Sequence, residues 1–318
     1  MLTLTIIIPY YNTPDFLKTL LDSIPCVENI QIVVVNDNST LGEEKFNKLQ
    51  NSEKYKNVTF LVNDSSSKGA GACRNIGIKH AKGKWLLFAD SDDFFIEGFY
   101  NHLKEFLNSD NDVVFFTPTS INIENSSLAQ RHLPYEMKIR KYIEESSEMH
   151  ETFIRYSMFA PWSKLIKRSL IVEHDILFDE ILVSNDVMFS MKIGLYMKNF
   201  FASPSVIYCI TQSKGSLTKQ ANINTYNIRL SVFIHMHQFL KHNLTNKVFS
   251  MLDLTGMDML ITAIKYKLGF NTLLRSIIML RKNQVRIFKK KYFNPKFLLT
   301  KVTSYYKRYR DESKYYVK

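Results

Sequence analysis

The chain has 318 residues, 45% of them apolar and 23% charged, a balance that excludes wholesale disorder and leaves room for one large domain or two modest ones. Its formal net charge of +12 is confined almost wholly to residues 281–318, where thirteen basic side chains face only Asp311 and Glu312, so the remainder is close to neutral. The dispersed Cys26, Cys73 and Cys209 exclude a disulfide framework or structural zinc site, and no apolar run approaches the ~20 residues of a membrane span, so a protein of the reducing cytoplasm is expected, peripheral at the inner membrane face if it meets the membrane at all.

Leu2–Ile8 is apolar and β-branched, has no basic flank of the kind that opens a secretory signal, and runs into a turn at Pro9-Tyr10-Tyr11-Asn12. Helical spacing over Phe16–Ile24 is followed by a second strand, Ile30–Val35, which ends in Asn36-Asp37-Asn38-Ser39-Thr40. Leu41–Leu49 reads as a helix and Val58–Val62 as a strand, after which come Asn63–Ser67 and the segment Lys68-Gly69-Ala70-Gly71-Ala72-Cys73-Arg74-Asn75-Ile76-Gly77. A helix over Ala72–Ala81 leads to a strand, Trp85–Ala89, that delivers Asp90-Ser91-Asp92-Asp93; Phe99–Leu107 and Val113–Thr117 close this third of the chain. Short buried runs alternating with amphipathic helices predict an α/β fold around a mostly parallel sheet covered on both faces. In such sheets ligands bind beyond the carboxyl ends of the strands, where the polar clusters fall. From Asn122 to Ser213 the pattern is less regular, with helices over Glu148–Met158 and Asp186–Tyr196, and from Thr225 it changes to long helical periodicity, continuing over Val248–Leu268.

Each cluster has a structural reading beside a chemical one. Carboxylates at alternate positions, Asp90 and Asp92 with Asp93 adjacent, repel one another unless a cation compensates them, and could share a hard divalent ion; Asp92 or Asp93 could equally cap the next helix. The Gly-x-Gly of residues 69–71 fits neither a dinucleotide fingerprint nor a Walker loop, and reads as a loosened helix start with a cationic donor, Arg74. Asp37 could accept from a nucleobase or ribose, or belong to a local turn. Asp186 opens a helix and is either a cap or a general base.

Taken together and in order, these segments resemble the family-2 glycosyltransferases of GT-A fold, in the type that builds bacterial surface polysaccharide. Lys82-Gly83-Lys84-Trp85-Leu86-Leu87-Phe88, Trp162-Ser163-Lys164-Leu165, Phe178-Asp179-Glu180 and Ser184-Asn185-Asp186 add to the likeness, which covers roughly residues 1–220. The resemblance implies a GT-A catalytic domain over 1–220, with a nucleotide-binding half to residue 118 and an acceptor half from 119, followed by a helical, basic region over 221–318. It also implies an inverting, metal-dependent transfer from a nucleotide-sugar donor, UDP-linked by preference, to a glycan or lipid-linked acceptor. On that basis Pro9, Tyr11, Asn12, Asp37, Arg74, Asn75, Asp90 and Ser91 would bind the nucleotide sugar, and Asp92 would hold Mn²⁺ or Mg²⁺. Asp186 would act as general base, with Asp93, Trp162, Lys164 and Asn185 in support. Two departures stand out: Asn36 replaces the first of two aspartates common in the family, and Asn185 replaces the glutamate that commonly precedes the catalytic aspartate. The runner-up reading is a sugar-nucleotide nucleotidyltransferase, disfavoured because Pro9–Asn12 is no phosphate loop; a non-catalytic nucleotide or nucleic-acid binding module is the third.

In the basic tail the aromatics from Phe288 to Tyr316 are interspersed with the lysines and arginines. Aromatics packed on the preceding helices under a solvated cationic face, and an anionic membrane surface, are the two readings that stand; nucleic acid ranks below both.

Overall fold

The computed structural model describes residues 2–212, 222–288 and Thr303. In chain order its elements are β1 (Leu4–Tyr10), α1 (Pro14–Asp22), β2 (Ile30–Asn36), α2 (Glu43–Gln50), β3 (Val58–Val62), α3 (Ala70–His80), β4 (Trp85–Phe88), β5 (Phe94–Phe95), α4 (Phe99–Lys104) and β6 (Val113–Asn122). There follow α5 (Leu133–Glu144), α6 (Glu148–Ser157), β7 (Lys164–Lys167), α7 (Arg168–Glu173), α8 (Val187–Tyr196), β8 (Phe200–Gln212), α9 (Ile223–Asn243), α10 (Asn246–Met251), α11 (Met257–Lys265) and α12 (Phe270–Lys282). Eight strands form one sheet in the order β3-β2-β1-β4-β7-β6-β8-β5.

The first four strands run parallel; β1 and β4 are buried throughout and carry the apolar texture of strands covered on both faces, while β3 at the sheet edge is only partly buried. Along β1 the side chains alternate between two cores. Leu4, Ile6 and Ile8 meet Leu17 and Leu20 of α1, while Ile7 joins Ile78 of α3 and Phe88. Beyond β4 the sheet becomes mixed: β7 pairs antiparallel with both β4 and β6, and β8 returns parallel to β6. Pro118 and Pro204 lie in this second half, and the β6–β8 ladder absorbs them with register shifts between Phe116 and Pro118.

Past the sheet, α9 carries two faces into two small cores. Tyr226, Leu230 and Ile234 pack with Leu260, Ala263 and Leu280 of α11 and α12. Met236 and Leu240 pack with Tyr156 of α6 and with Met188 and Met191 of α8, which couples the C-terminal helices to the helix that Asp186 opens. The periodicity over 248–268 divides into α10 and α11, with left-handed Asp253 (φ 53°) between them. No helix among the described residues is long and apolar enough to cross a membrane. Of the basic tail read from the sequence, residues 289–318 lie outside the described residues apart from Thr303.

Candidate active site

The four polar clusters converge at the carboxyl ends of β1 to β4, where the loops are held in conformations few side chains adopt freely. Asn12 (φ 57°), Asn38 (φ 54°), Ser163 (φ 55°) and Ser184 (φ 61°) all occupy the left-handed region, and each stands at a turn bearing candidate residues. Asn12 earns its place by crosslinking. Its carboxamide oxygen accepts from the amides of Thr40 (2.8 Å) and Leu41 (2.9 Å), and its own amide donates to Ser39 Oγ. Pro9 lies within buried β1, whereas Tyr11 is 53% exposed at the rim.

Asp37 spans the next gap: its two oxygens accept from Asn63 Nδ2 and from the amide of Gly69, both at 2.7 Å. Gly69 (φ 109°) has a backbone that side-chain-bearing residues rarely tolerate. A Cβ at Gly71 would stand 2.2 Å from the carbonyl oxygen of Asp179, so the start of α3 lies flush against the segment that ends in Asp186. Gly69 therefore serves the backbone turn, and Gly71 the close packing between two parts of the site.

Arg74 and Asn75 fasten that junction. Arg74, 5% exposed, forks between Asp90 Oδ1 (2.5 Å) and Asn185 Oδ1 (2.9 Å), and its guanidinium lies over the Phe178 ring. Asn185 thus accepts from the arginine as a neutral group in place of the family's glutamate. Asn75 is expected to line the nucleotide pocket, yet its amide is spent elsewhere: it donates to Phe178 O and Glu180 Oε1 and accepts from Phe178 N at 2.9 Å. Its place is a buried clamp on the 178–186 segment.

The three acids of Asp90-Ser91-Asp92-Asp93 have separate environments. Asp93 is 2% exposed and accepts from Tyr208 Oη (2.8 Å) and the Thr211 amide (2.7 Å). Burial, with Asp92 and Asp90 adding their charge, pushes its pKa well above the usual carboxylate range. Tyr208 Oη in turn accepts from the Asp90 amide, and Thr211 Oγ1 donates to Asp92 O. The β8 strand thereby pins the acidic turn, and Asp93 is its internal anchor. Ser91 is buried, with its hydroxyl 3.2 Å from Thr13 Oγ1. Asp92 is exposed, and its carboxylate accepts from no other residue among the described ones. Its surroundings still strip enough water, with the Asp90 charge added, to raise its pKa, against the pull of Arg131. Replacing Tyr208 by Phe removes a donor to Asp93 and an acceptor for the Asp90 amide, so urea unfolding is expected to show a loss of about 1–3 kcal/mol. An unchanged midpoint would mean that the relay does not hold the turn.

Asp186 occupies the N-cap position of α8, but its carboxylate makes no capping hydrogen bond and accepts only from its own amide. Burial raises its pKa and Asp90 adds to this, while Arg74 and Lys164 oppose. Behind it, buried Lys164 donates to Met158 O and to Ser190 Oγ (3.2 Å), one turn into α8. Burial draws the Lys164 pKa down to about 7, with Asp186 opposing the shift. Trp162 is buried between Tyr208, stacked at 5.9 Å, and the edge of Tyr135 at 4.8 Å.

Sequence reasoning passed over Tyr208, Thr211, Arg131 and Tyr135. Arg131 stands ahead of α5, close enough to lower the pKa of Asp92, and donates to Thr211 O at 3.5 Å. Burial and then Asp186 raise the Tyr135 hydroxyl to about 12. No single sequence signal marks these residues, since they come from the irregular middle of the chain. A separate cavity of about 350 Å³, lined by Pro14, Lys18, Lys45 and Tyr55 among others, shares no residue with this site.

The donor chemistry fits a cation shared with a ligand rather than one caged by protein. Among the described residues no group of three or more His, Cys, Asp or Glu side chains is arranged to hold a metal alone, while Asp92 presents an unpaired carboxylate beside two further acids.

Known proteins resemble this chain in sequence and in fold. Glycosyltransferase GlyA of Streptococcus pneumoniae serotype 4 is 27% identical over 227 residues, 68% of this chain and 31% of its own length. Poly(ribitol-phosphate) beta-N-acetylglucosaminyltransferase TarS of Staphylococcus aureus is 28% identical over 235 residues, 70% of this chain and 38% of its own. The chain thus spans about a third of the length of these relatives. The crystal structure of TarS 1–349 in complex with UDP-GlcNAc superposes with a TM-score of 0.61 at 21% identity, covering 83% of this chain and 73% of that one. The mannosyltransferase PcManGT of Pyrobaculum calidifontis, in complex with GDP-Man and Mn²⁺, gives 0.57 at 14% identity, covering 88% and 75%. At these identities the two structures speak to the fold, which is GT-A. The sequence profile of Glycosyl transferase family 2 matches residues 5–174, more than half of the chain. The chain is a member of glycosyl transferase family 2.

Proposed function

We propose that this protein transfers a sugar from a nucleotide-sugar donor, UDP-linked by preference, to a hydroxyl of a glycan or lipid-linked acceptor, with inversion at the anomeric carbon. The observation that carries the reading is the pair of carboxylates that accept from no other residue, Asp92 and Asp186, beside Asp37, Asp90 and Asp93, which are all engaged. One is exposed on the strand-end turn, where diphosphates bind in such folds; the other opens the helix facing the Arg74 fork.

In this mechanism Asp186 takes the proton from the acceptor hydroxyl as that oxygen attacks the anomeric carbon, and displacement by one base implies inversion. Arg74 holds Asp90 and Asn185 together, fixing the distance between the donor side and the base. Tyr208 and Thr211 hold the acidic turn in place. Asp92 would bind Mn²⁺ or Mg²⁺, which when present neutralises charge on the diphosphate leaving group. Arg131 is a further cation on the acceptor side, beside Asp92. Cys26, Cys73 and Cys209 are free thiols, in keeping with a cytoplasmic setting for the reaction. The named relatives, among them a transferase acting on poly(ribitol-phosphate), support a role in assembling a bacterial surface polymer.

Calorimetric titration of UDP, GDP and dTDP, first with Mn²⁺ and then with EDTA, tests the donor site directly. Binding of one nucleotide that is lost in EDTA is the expected result. Absence of binding for all of them with metal present would remove the donor assignments together.

A further inference from the structure

The outer face of the α11–α12 hairpin has no role in the site described above. Its inner face is fixed: Leu260, Ala263 and Leu280 are buried against α9, a Cβ at Gly256 would meet Leu280 at 2.6 Å, and Ser276 Oγ lies 2.7 Å from Tyr226 Oη. The turn is equally set, since Lys267 (φ 54°) and Gly269 (φ 81°) are left-handed and the Leu268 amide donates back to Ala263 O at 3.1 Å. What remains outside is strongly apolar. Phe270 is 75% exposed and Ile264 62%, one on each side of the turn. Leu274 and Ile278 continue the Phe270 stripe at four-residue spacing, and Ile261 continues that of Ile264. An exposed apolar stripe of this length marks an interaction surface.

Charge identifies the partner. Exposed Lys265, Lys267, Arg275, Arg281, Lys282 and Arg286 accompany the stripe, and between residues 257 and 288 the sole acid is Asp258, at the far end of α11. A second copy meeting this face through a twofold axis would set these cations against one another. An anionic lipid surface satisfies both features at once, taking the apolar side chains into its acyl boundary and the cations among its headgroups. We propose that the α11–α12 hairpin docks the protein on an anionic membrane, with Phe270 and Ile264 inserted. This differs from the expectation placed on the basic tail, because it requires apolar insertion at a named helix pair. It also stands independently of the reaction proposed above.

A Phe270→Trp variant of the full chain reads insertion at one position, since native Trp85 and Trp162 are both buried and give a constant background. Vesicles of phosphatidylglycerol and phosphatidylcholine are expected to shift the new indole emission to the blue, and phosphatidylcholine alone to do so weakly. The double variant Ile264→Ser, Phe270→Ser is expected to float with anionic vesicles about tenfold less, with an unchanged thermal midpoint because both positions are exposed. Flotation without an emission shift would mean that contact is made elsewhere, by residues 289–318 for example, and would overturn the proposal. So would a failure to bind vesicles, or an indole already blue-shifted in a dimer detected by light scattering.

Discussion

Asp186→Asn is expected to lower turnover by about 10²–10⁴-fold while leaving nucleotide affinity within about twofold. The amide keeps the volume of the carboxylate and removes its capacity to take a proton. The same substitution has a second consequence, of opposite sign for stability. Burial and then Asp90 raise the pKa of Asp186, with Arg74 and Lys164 opposing, so the folded state binds this proton more tightly than the unfolded chain. A group shifted in that sense weakens the fold as pH rises from the ordinary value of ~3.9 towards the raised one, and the cost is complete above it. At neutral pH the variant should therefore melt at a higher temperature than the parent, and the two should converge in acid, where the parent is protonated. The catalytic profile follows the same group: a base must be deprotonated to act, so kcat/KM falls as pH drops through a value above the ordinary carboxylate range. A variant that keeps most of its activity would remove the base assignment. One that loses stability would return Asp186 to the role of helix cap.

That the free carboxylate at the start of α8 is no cap could not be read from position alone, because the same residue type at the same place serves both purposes. The hydrogen-bond partners decide, and Asp186 has none at the helix N-terminus. Asn75 illustrates the converse. Its motif suggests a ligand contact, but its partners are Phe178 and Glu180, more than a hundred residues away, and sequence spacing carries no information on such a pairing. The parallel strands, by contrast, were legible: β1 and β4 are covered on both faces and almost wholly apolar, and the bounds Val58–Val62 fall as expected although that edge strand is only partly buried. The end of β1 was not: Pro9 reads as a turn, yet it pairs with Val35. By that point β4 has ended its pairing at Ile7, so the missing amide of Pro9 faces no partner strand.

The second half of the sheet was hidden for a related reason. Pro118 and Pro204 look like breakers, and β7 is only four residues long between two lysines. With β8 unrecognised, Tyr208 and Thr211 had no place in the site, although they determine which acid of the D-x-D-D turn is buried and which is free. The Tyr208 hydroxyl and the Thr211 backbone amide both bind Asp93, which leaves Asp92 outside.

This division of labour predicts unlike outcomes for substitutions at two adjacent aspartates. Asp92→Ala is expected to abolish the difference between nucleotide binding with Mn²⁺ and with EDTA, and to lower kcat/KM by about 10²–10³-fold, the several kcal/mol that a metal-bound leaving group contributes at about 1.4 kcal/mol per tenfold. Its stability should not fall, since the Asp92 carboxylate accepts from no other residue and its charge is disfavoured by burial and by Asp90. Asp93→Asn should behave in the opposite way. An amide offers one oxygen where the carboxylate accepts from both Tyr208 and Thr211, so one buried donor is left unpaired at a cost of about 1–3 kcal/mol. Nucleotide binding by the folded fraction should keep its dependence on metal. If instead Asp92→Ala retains the Mn²⁺ dependence and Asp93→Asn loses it, the free carboxylate is not the ligand, and the exposed position of Asp92 would need another explanation.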